Sequence, residues 1–187
     1  WVNTYASADS VFAYSEFGRD TMVNQCDNIN FIDIASPAAS SCFCPANNKA
    51  EHKMGMGVSP DSFIVGTVMR NQRRKLYPDL FESFRKFLDE TQDFFQNSIQ
   101  HCPHCQSLTN HMVGISNPAS DEELAQIYNC FDVYVQYANC EGFGMPQLEA
   151  AYAGVPVVST DYSAMESVVK NINGFGIKPV QYSMEAE

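Results

Sequence analysis

Between Asp132 and Asn171 the sequence switches repeatedly between strand and helix signals. Asp132–Tyr137 reads as a strand, and Pro146–Ala153 reads as a helix closed by Gly154 and then Pro156. Val155–Thr160 reads as a second strand and Ala164–Asn171 as a second helix. Strands separated by helices cannot pair through tight turns; each helix carries the chain back, so the next strand runs parallel to the last. The pattern predicts an α/β fold, a Rossmann-like doubly wound parallel sheet. Ligands of such sheets bind beyond the carboxyl ends of the strands, which places the loops 70–76, 138–145 and 161–164 at the expected site.

Upstream the same rhythm is present. Phe63–Met69 is a continuous apolar run, which predicts a strand buried on both faces. Pro78 to Gln96 predicts a helix, with Leu80, Phe81, Phe84, Phe87, Leu88 and Phe95 at three- and four-residue spacing. His111–Ile115 is a short strand candidate. Asp121 to Asn129 predicts a helix with Ser120 as N-cap and Glu123 three residues later. Ser10–Ser15 alternates as a strand would, and residues 35–50, rich in Ala, Ser, Pro and Asn, read as a linker. Residues 97–110 leave no room for a regular strand and helix; they hold His101-Cys-Pro-His-Cys105 instead.

Charge narrows the partners. The formal net charge is −11, which argues against a nucleic-acid surface built on bulk charge. Against that background Arg70-Asn-Gln-Arg-Arg-Lys75 gathers four of the eleven Lys and Arg residues just past an apolar run. Guanidinium and ammonium groups there suit a diphosphate, although a solvated basic loop has the same composition. No apolar run approaches the roughly 18 residues of a membrane span, so no transmembrane segment is predicted. Seven cysteines, an odd number, do not read as a disulfide framework, and a cytoplasmic location with reduced thiols is expected. The chain starts at Trp1 and enters mid-pattern, so it is expected to be a piece of a longer protein.

The densest chemistry lies in Glu141-Gly-Phe-Gly-Met-Pro-Gln-Leu-Glu149. This segment follows a strand and opens a helix. Gly142 and Gly144 let the backbone approach a ligand, and the helix start offers free amides and a positive dipole to an anion. Glu149 is expected in the first turn, where a carboxylate can accept hydrogen bonds from vicinal hydroxyls; Glu141 can do the same from the preceding loop. On spacing alone, turn glycines and a dipole-complementing glutamate account for the run equally well.

The stretch from Phe131 to Asp161, with its Glu141/Glu149 spacing and the following Gly154-Val-Pro-Val turn, resembles the E-x7-E region of family 4 retaining glycosyltransferases. A weaker likeness extends from Val11 to Phe175. The resemblance implies the GT-B fold, two Rossmann-like domains with the active site between them. It makes residues 51–187 the C-terminal nucleotide-sugar-binding domain and residues 1–50 the tail of the N-terminal domain with its linker. Ser15-Glu16-Phe17-Gly18-Arg19 then resembles the end of that first domain. It implies a nucleotide-diphosphate-sugar donor, an acceptor of unknown identity, and transfer with retention of anomeric configuration. Glu149 would grip the ribose and Glu141 the transferred sugar. Gly142, Phe143 and Gly144, followed by Met145, would lie along the sugar and diphosphate. Arg70 and Lys75 match the family's phosphate-gripping pair, with Arg74 as the alternative to Lys75, and would stand in place of a metal ion; no Asp-x-Asp motif is present. At Asp161–Glu166 the family often carries paired glycines, and Ser163 and Ala164 depart from that pattern, with Ser163 still expected near the donor.

Cys102 and Cys105 have the spacing of a zinc knuckle and resemble the second half of a zinc ribbon whose first half is absent. A structural zinc and unliganded surface cysteines are both open readings. Two functional alternatives stand beside the transferase: a GT-B-type nucleotide-sugar 2-epimerase, and a non-catalytic degenerate transferase module.

Overall fold

A computed structural model describes residues 2–70, 72–99 and 119–180, with residues 92–99 described by their backbone only. The chain divides into two compact units, Trp1–Lys75 together with Ala119–Glu187, and Leu76–Pro118. In chain order the elements are α1 (Val2–Ala6), β1 (Val11–Ala13), α2 (Glu16–Gln25), β2 (Phe31–Ile34), α3 (Lys49–Gly55), β3 (Val65–Gly66) and a 3₁₀ turn at Arg73–Lys75. There follow α4 (Tyr77–Ile99), α5 (Asp121–Tyr128), β4 (Val133–Gln136), α6 (Met145–Tyr152), β5 (Val157–Thr160), α7 (Ala164–Asn171) and β6 (Phe175–Ile177).

The larger unit carries two parallel sheets. One pairs β1 with β2; the other has the order β3-β4-β5-β6. The predicted α/β class and parallel pairing are therefore what the chain forms. In β1, Val11 and Ala13 are buried and Phe12 between them is exposed. Ser15 then caps α2 by accepting from the Gly18 amide at 3.1 Å.

The core gathers around Tyr128, whose ring meets Phe43 at 5.8 Å and Phe131 at 5.7 Å edge-on. Tyr134, Ala150, Ala153, Val155 and Val157 complete the cluster. Phe43 comes from the stretch read as a linker; it is 3% exposed, so that stretch supplies a core side chain although it has no regular structure before α3. Polar α3 lacks a strong apolar period. Its signal is the cap, because the Asn48 side chain accepts from the Ala50 and Glu51 amides at 3.1 and 3.3 Å.

Several expectations are corrected. The run Phe63–Met69 is not a strand buried on both faces: only Val65–Gly66 is strand, and Phe63 is 75% exposed. Among the described residues β3 is an edge strand with one neighbour, β4, and Val65 is 36% exposed. Gly66 is the exception. A Cβ there would lie 2.1 Å from the Phe131 ring, so only glycine lets that ring lie flat on the strand. The helix predicted to end near Gln96 runs to Ile99, taking in the first residues of the stretch expected to be irregular. The predicted strand at His111–Ile115, along with Cys102 and Cys105, lies outside the described residues. The helix α5 ends at Tyr128 and has the full capping box: Ser120 Oγ accepts from the Glu123 amide, and Glu123 accepts from the Ser120 amide at 2.9 Å.

In the smaller unit, α4 carries Phe84 stacked on Phe87 with centroids 6.3 Å apart. Ion pairs Glu82–Lys86 and Arg85–Asp89 run along it at four-residue spacing.

At the amino ends of β3 and β4 lies a buried charge cluster. Lys53, 3% exposed, donates to the Ser62 carbonyl and to Asp132 Oδ2, each at 2.7 Å. The Ile64 amide donates to the same oxygen at 2.8 Å, and Lys49 pairs with Oδ1 at 3.2 Å. Burial alone would raise the Asp132 pKa, but Lys53, the Ile64 amide and Lys49 together hold it below the ordinary carboxylate value.

Candidate functional site

The opposite ends of the same two strands carry the second charge cluster. After β3 the chain turns through Arg73–Lys75, and the Asn139 amide, in the loop after β4, donates to the Arg74 carbonyl at 2.9 Å. That backbone bond ties the basic turn to the loop that carries Glu141. Arg74 Nη1 donates to Glu141 Oε2 at 2.9 Å and to the Cys140 carbonyl at 3.0 Å. Lys75 Nζ pairs with Glu141 Oε1, and both side chains are only 8% exposed. Burial first, then the charges of Arg74 and Arg70, draw the Lys75 pKa down to about 8.

Glu141 is held from behind as well. Gln136, at the end of β4 and 1% exposed, donates from Nε2 to Glu141 Oε1 at 3.3 Å. The Gln136 side-chain Oε1 accepts from the Tyr134 hydroxyl. This amide orientation is the one that turns a donor rather than an acceptor toward the carboxylate. From the third loop, Ser163 Oγ accepts from the Glu141 amide at 3.2 Å.

Ser163 has φ +56°, a conformation costly for a residue with a side chain. The expected departure from glycine is thus one of residue type, while the backbone keeps a conformation glycine favours. Gly144 is left-handed at φ +92° and forms the N-cap of α6, with no side-chain cap. No side-chain oxygen therefore caps the amides of the first turn, and the Gln147 amide donates to the Gly144 carbonyl at 3.2 Å. Pro146 lies in that turn. Phe143, between the two glycines, meets Tyr14 edge-on at 6.5 Å.

Glu149 is displaced from its expected place. Because α6 starts at Met145, Glu149 falls in the second turn. It is half-buried, and its Oε2 accepts from the fully buried Tyr128 hydroxyl at 3.0 Å. Burial raises the Glu149 pKa, and the Tyr128 hydrogen bond opposes that rise.

Of the residues singled out in the sequence, Arg74, Lys75, Glu141 and Ser163 are in mutual contact through Glu141. Gly142 to Met145 continue directly from it. Arg70 is exposed on the segment after β3, near enough for its charge to act on Lys75. Gln136, Tyr134 and Tyr128 carry no motif in the sequence. Their one sequence signal is polar character within otherwise apolar stretches.

Residues 102–186 match the family model described as glycosyl transferases group 1. Capsular polysaccharide biosynthesis glycosyltransferase CapM of Staphylococcus aureus is 28% identical, the alignment covering 75% of this chain and 39% of that protein. D-inositol 3-phosphate glycosyltransferase of Paenarthrobacter aurescens is 28% identical over 90% of this chain and 42% of its own length. The chain thus spans about two fifths of these relatives. Among solved structures, HepE of Anabaena in complex with UDP and glucose superposes with TM-score 0.71 at 19% identity, covering 96% of this chain and 52% of that one. Sucrose-phosphate synthase of Thermosynechococcus elongatus gives 0.73 at 19%, covering 96% and 47%. At such identities the solved structures speak to the fold alone, and that fold is a Rossmann-like α/β domain. Over residues 102–186 the chain is thus similar to glycosyl transferases group 1, and its fold is similar to that of the solved structures.

Proposed function

We propose that this chain carries the donor half of a retaining glycosyltransferase, which moves a sugar from a nucleotide-diphosphate sugar to an acceptor. The observation that carries the reading is the convergence of Arg74, Lys75 and Glu141 at the carboxyl ends of β3 and β4, beside the uncapped start of α6. Parallel sheets bind ligands there. In this reading Arg70, Arg74 and Lys75 hold the donor phosphates and stabilise the charge that develops on the leaving diphosphate. Glu141 faces the transferred sugar, Glu149 the ribose, and the backbone of Gly142, Phe143, Gly144 and Met145 runs along the sugar and phosphates. Ser163 acts by holding the Glu141 loop. The two relatives named as glycosyltransferases and the neighbour solved with UDP and glucose support this assignment.

Arg70 gives the test. Arg70→Ala should weaken binding of a nucleoside diphosphate by about tenfold, the scale of a charge-assisted hydrogen bond, and leave binding of the free nucleoside unchanged. The same diphosphate affinity in the unmodified chain should decline as pH rises above about 8, where unliganded Lys75 loses its proton. Calorimetric titration of both ligands checks this; equal losses for diphosphate and nucleoside would remove Arg70 from the phosphate site.

A further inference from the structure

Tyr128 closes α5 at the centre of the core, with no exposed surface. Its ring packs against Phe43, Phe131 and Tyr134. A phenylalanine would satisfy all of that packing. The hydroxyl is therefore the unexpected part, since burying a polar group costs free energy unless it finds a partner. Its partner is Glu149 Oε2, on the neighbouring helix, at 3.0 Å.

We infer that Tyr128 is a positioning residue for the nucleotide site, its buried hydroxyl fixing the Glu149 carboxylate so that the other oxygen, Oε1, faces the ribose hydroxyls of the ligand. This deepens the proposed function and rests on the ribose reading of Glu149. A carboxylate on a helix can turn about its terminal bonds. A bond to one of its two oxygens stops that rotation and fixes where the second oxygen points. The bond comes from a side chain locked on three sides by aromatic rings, so it is preorganised before any ligand arrives. A half-buried carboxylate also tends toward its neutral form, which accepts hydrogen bonds less well. The Tyr128 donor favours the ionised form, while the nearby Asp121 charge acts against it.

The test uses the unmodified chain, Tyr128→Phe, Glu149→Gln and the double variant. Each is titrated with UDP, GDP and ADP and with their 2′-deoxy and 3′-deoxy forms. The unmodified chain should prefer the ribonucleotide by about tenfold or more, a hydrogen bond to a charged group. Tyr128→Phe should lose most of that preference while its packing, and so its Tm, stays close to the parent. In the Glu149→Gln background the tyrosine change should have no further effect, because its influence passes through Glu149. Full ribose preference in Tyr128→Phe, or equal loss for ribo- and deoxynucleotides, would overturn the inference. The Glu149→Gln arm separates the two claims: if that variant loses ribose preference and Tyr128→Phe does not, the positioning role fails alone. If Glu149→Gln keeps the preference, the ribose reading fails and the positioning role with it.

Discussion

Asp132→Ala should lower the stability of this chain by about 3–5 kcal/mol, the cost of breaking a buried ion pair by removing one partner. Lys53 stays behind at 3% exposure with only the Ser62 carbonyl left beside it, and the Ile64 amide loses its acceptor. The cost should fall when both charges go. Lys53→Met combined with Asp132→Leu leaves no stranded charge and should recover a large part of the loss. The sign of the pH dependence follows from the depressed Asp132 pKa. Its contribution is fully present above the unfolded carboxylate value of about 3.9 and is lost as pH falls through the lower folded value. Urea denaturation at neutral and acidic pH measures both effects. A loss below about 1 kcal/mol, as for an exposed ion pair, would contradict the structural role given to this cluster.

Glu141→Gln should reduce sugar transfer by the complete protein on the order of 10²–10³-fold, the scale seen when one preorganised polar group is removed from a reacting centre. Nucleoside diphosphate affinity should not fall with it. In the free chain Glu141 occupies Arg74 and Lys75, the groups that the proposed function assigns to the phosphates. Glutamine keeps the size and some hydrogen bonding of Glu141 but removes a negative charge from the anion site. Diphosphate binding should therefore hold steady or strengthen while turnover collapses. Steady-state kinetics with a parallel diphosphate titration read out both quantities. Loss of diphosphate affinity in proportion to turnover would show that Glu141 serves mainly to build the phosphate site.

Local chemistry made parts of this structure legible in the sequence. The capping box at Ser120 and Glu123 and the helix Ala164–Asn171 depend on neighbours a few residues away, and both are where the pattern put them. The Arg74, Lys75 and Glu141 convergence was legible because strand ends of a parallel sheet lie at one pole. Other features depend on partners far along the chain. Lys53 and Asp132 are 79 residues apart, and nothing local marks them as a pair. Gln136 is a polar residue in a short strand until the loop after it returns Glu141 to its amide. Phe63–Met69 is apolar throughout, yet apolar character does not say whether a neighbour covers both faces, and Phe63 is exposed. Glu149 falls one position further into its helix, just past the first turn, because Gly144, in the left-handed region, starts the helix at Met145 rather than Pro146.

In the proposed function the carboxyl ends of β3 and β4 form a nucleotide-sugar donor site. Calorimetric titration of this chain with a panel of UDP-, GDP- and ADP-sugars tests it most directly. At least one donor should bind saturably, be displaced by the matching nucleoside diphosphate, and be weakened by Glu149→Gln about ten- to a hundred-fold, the scale of a hydrogen bond to a charged group. No binding of any donor, or binding that Glu149→Gln and Arg70→Ala leave untouched, would contradict it.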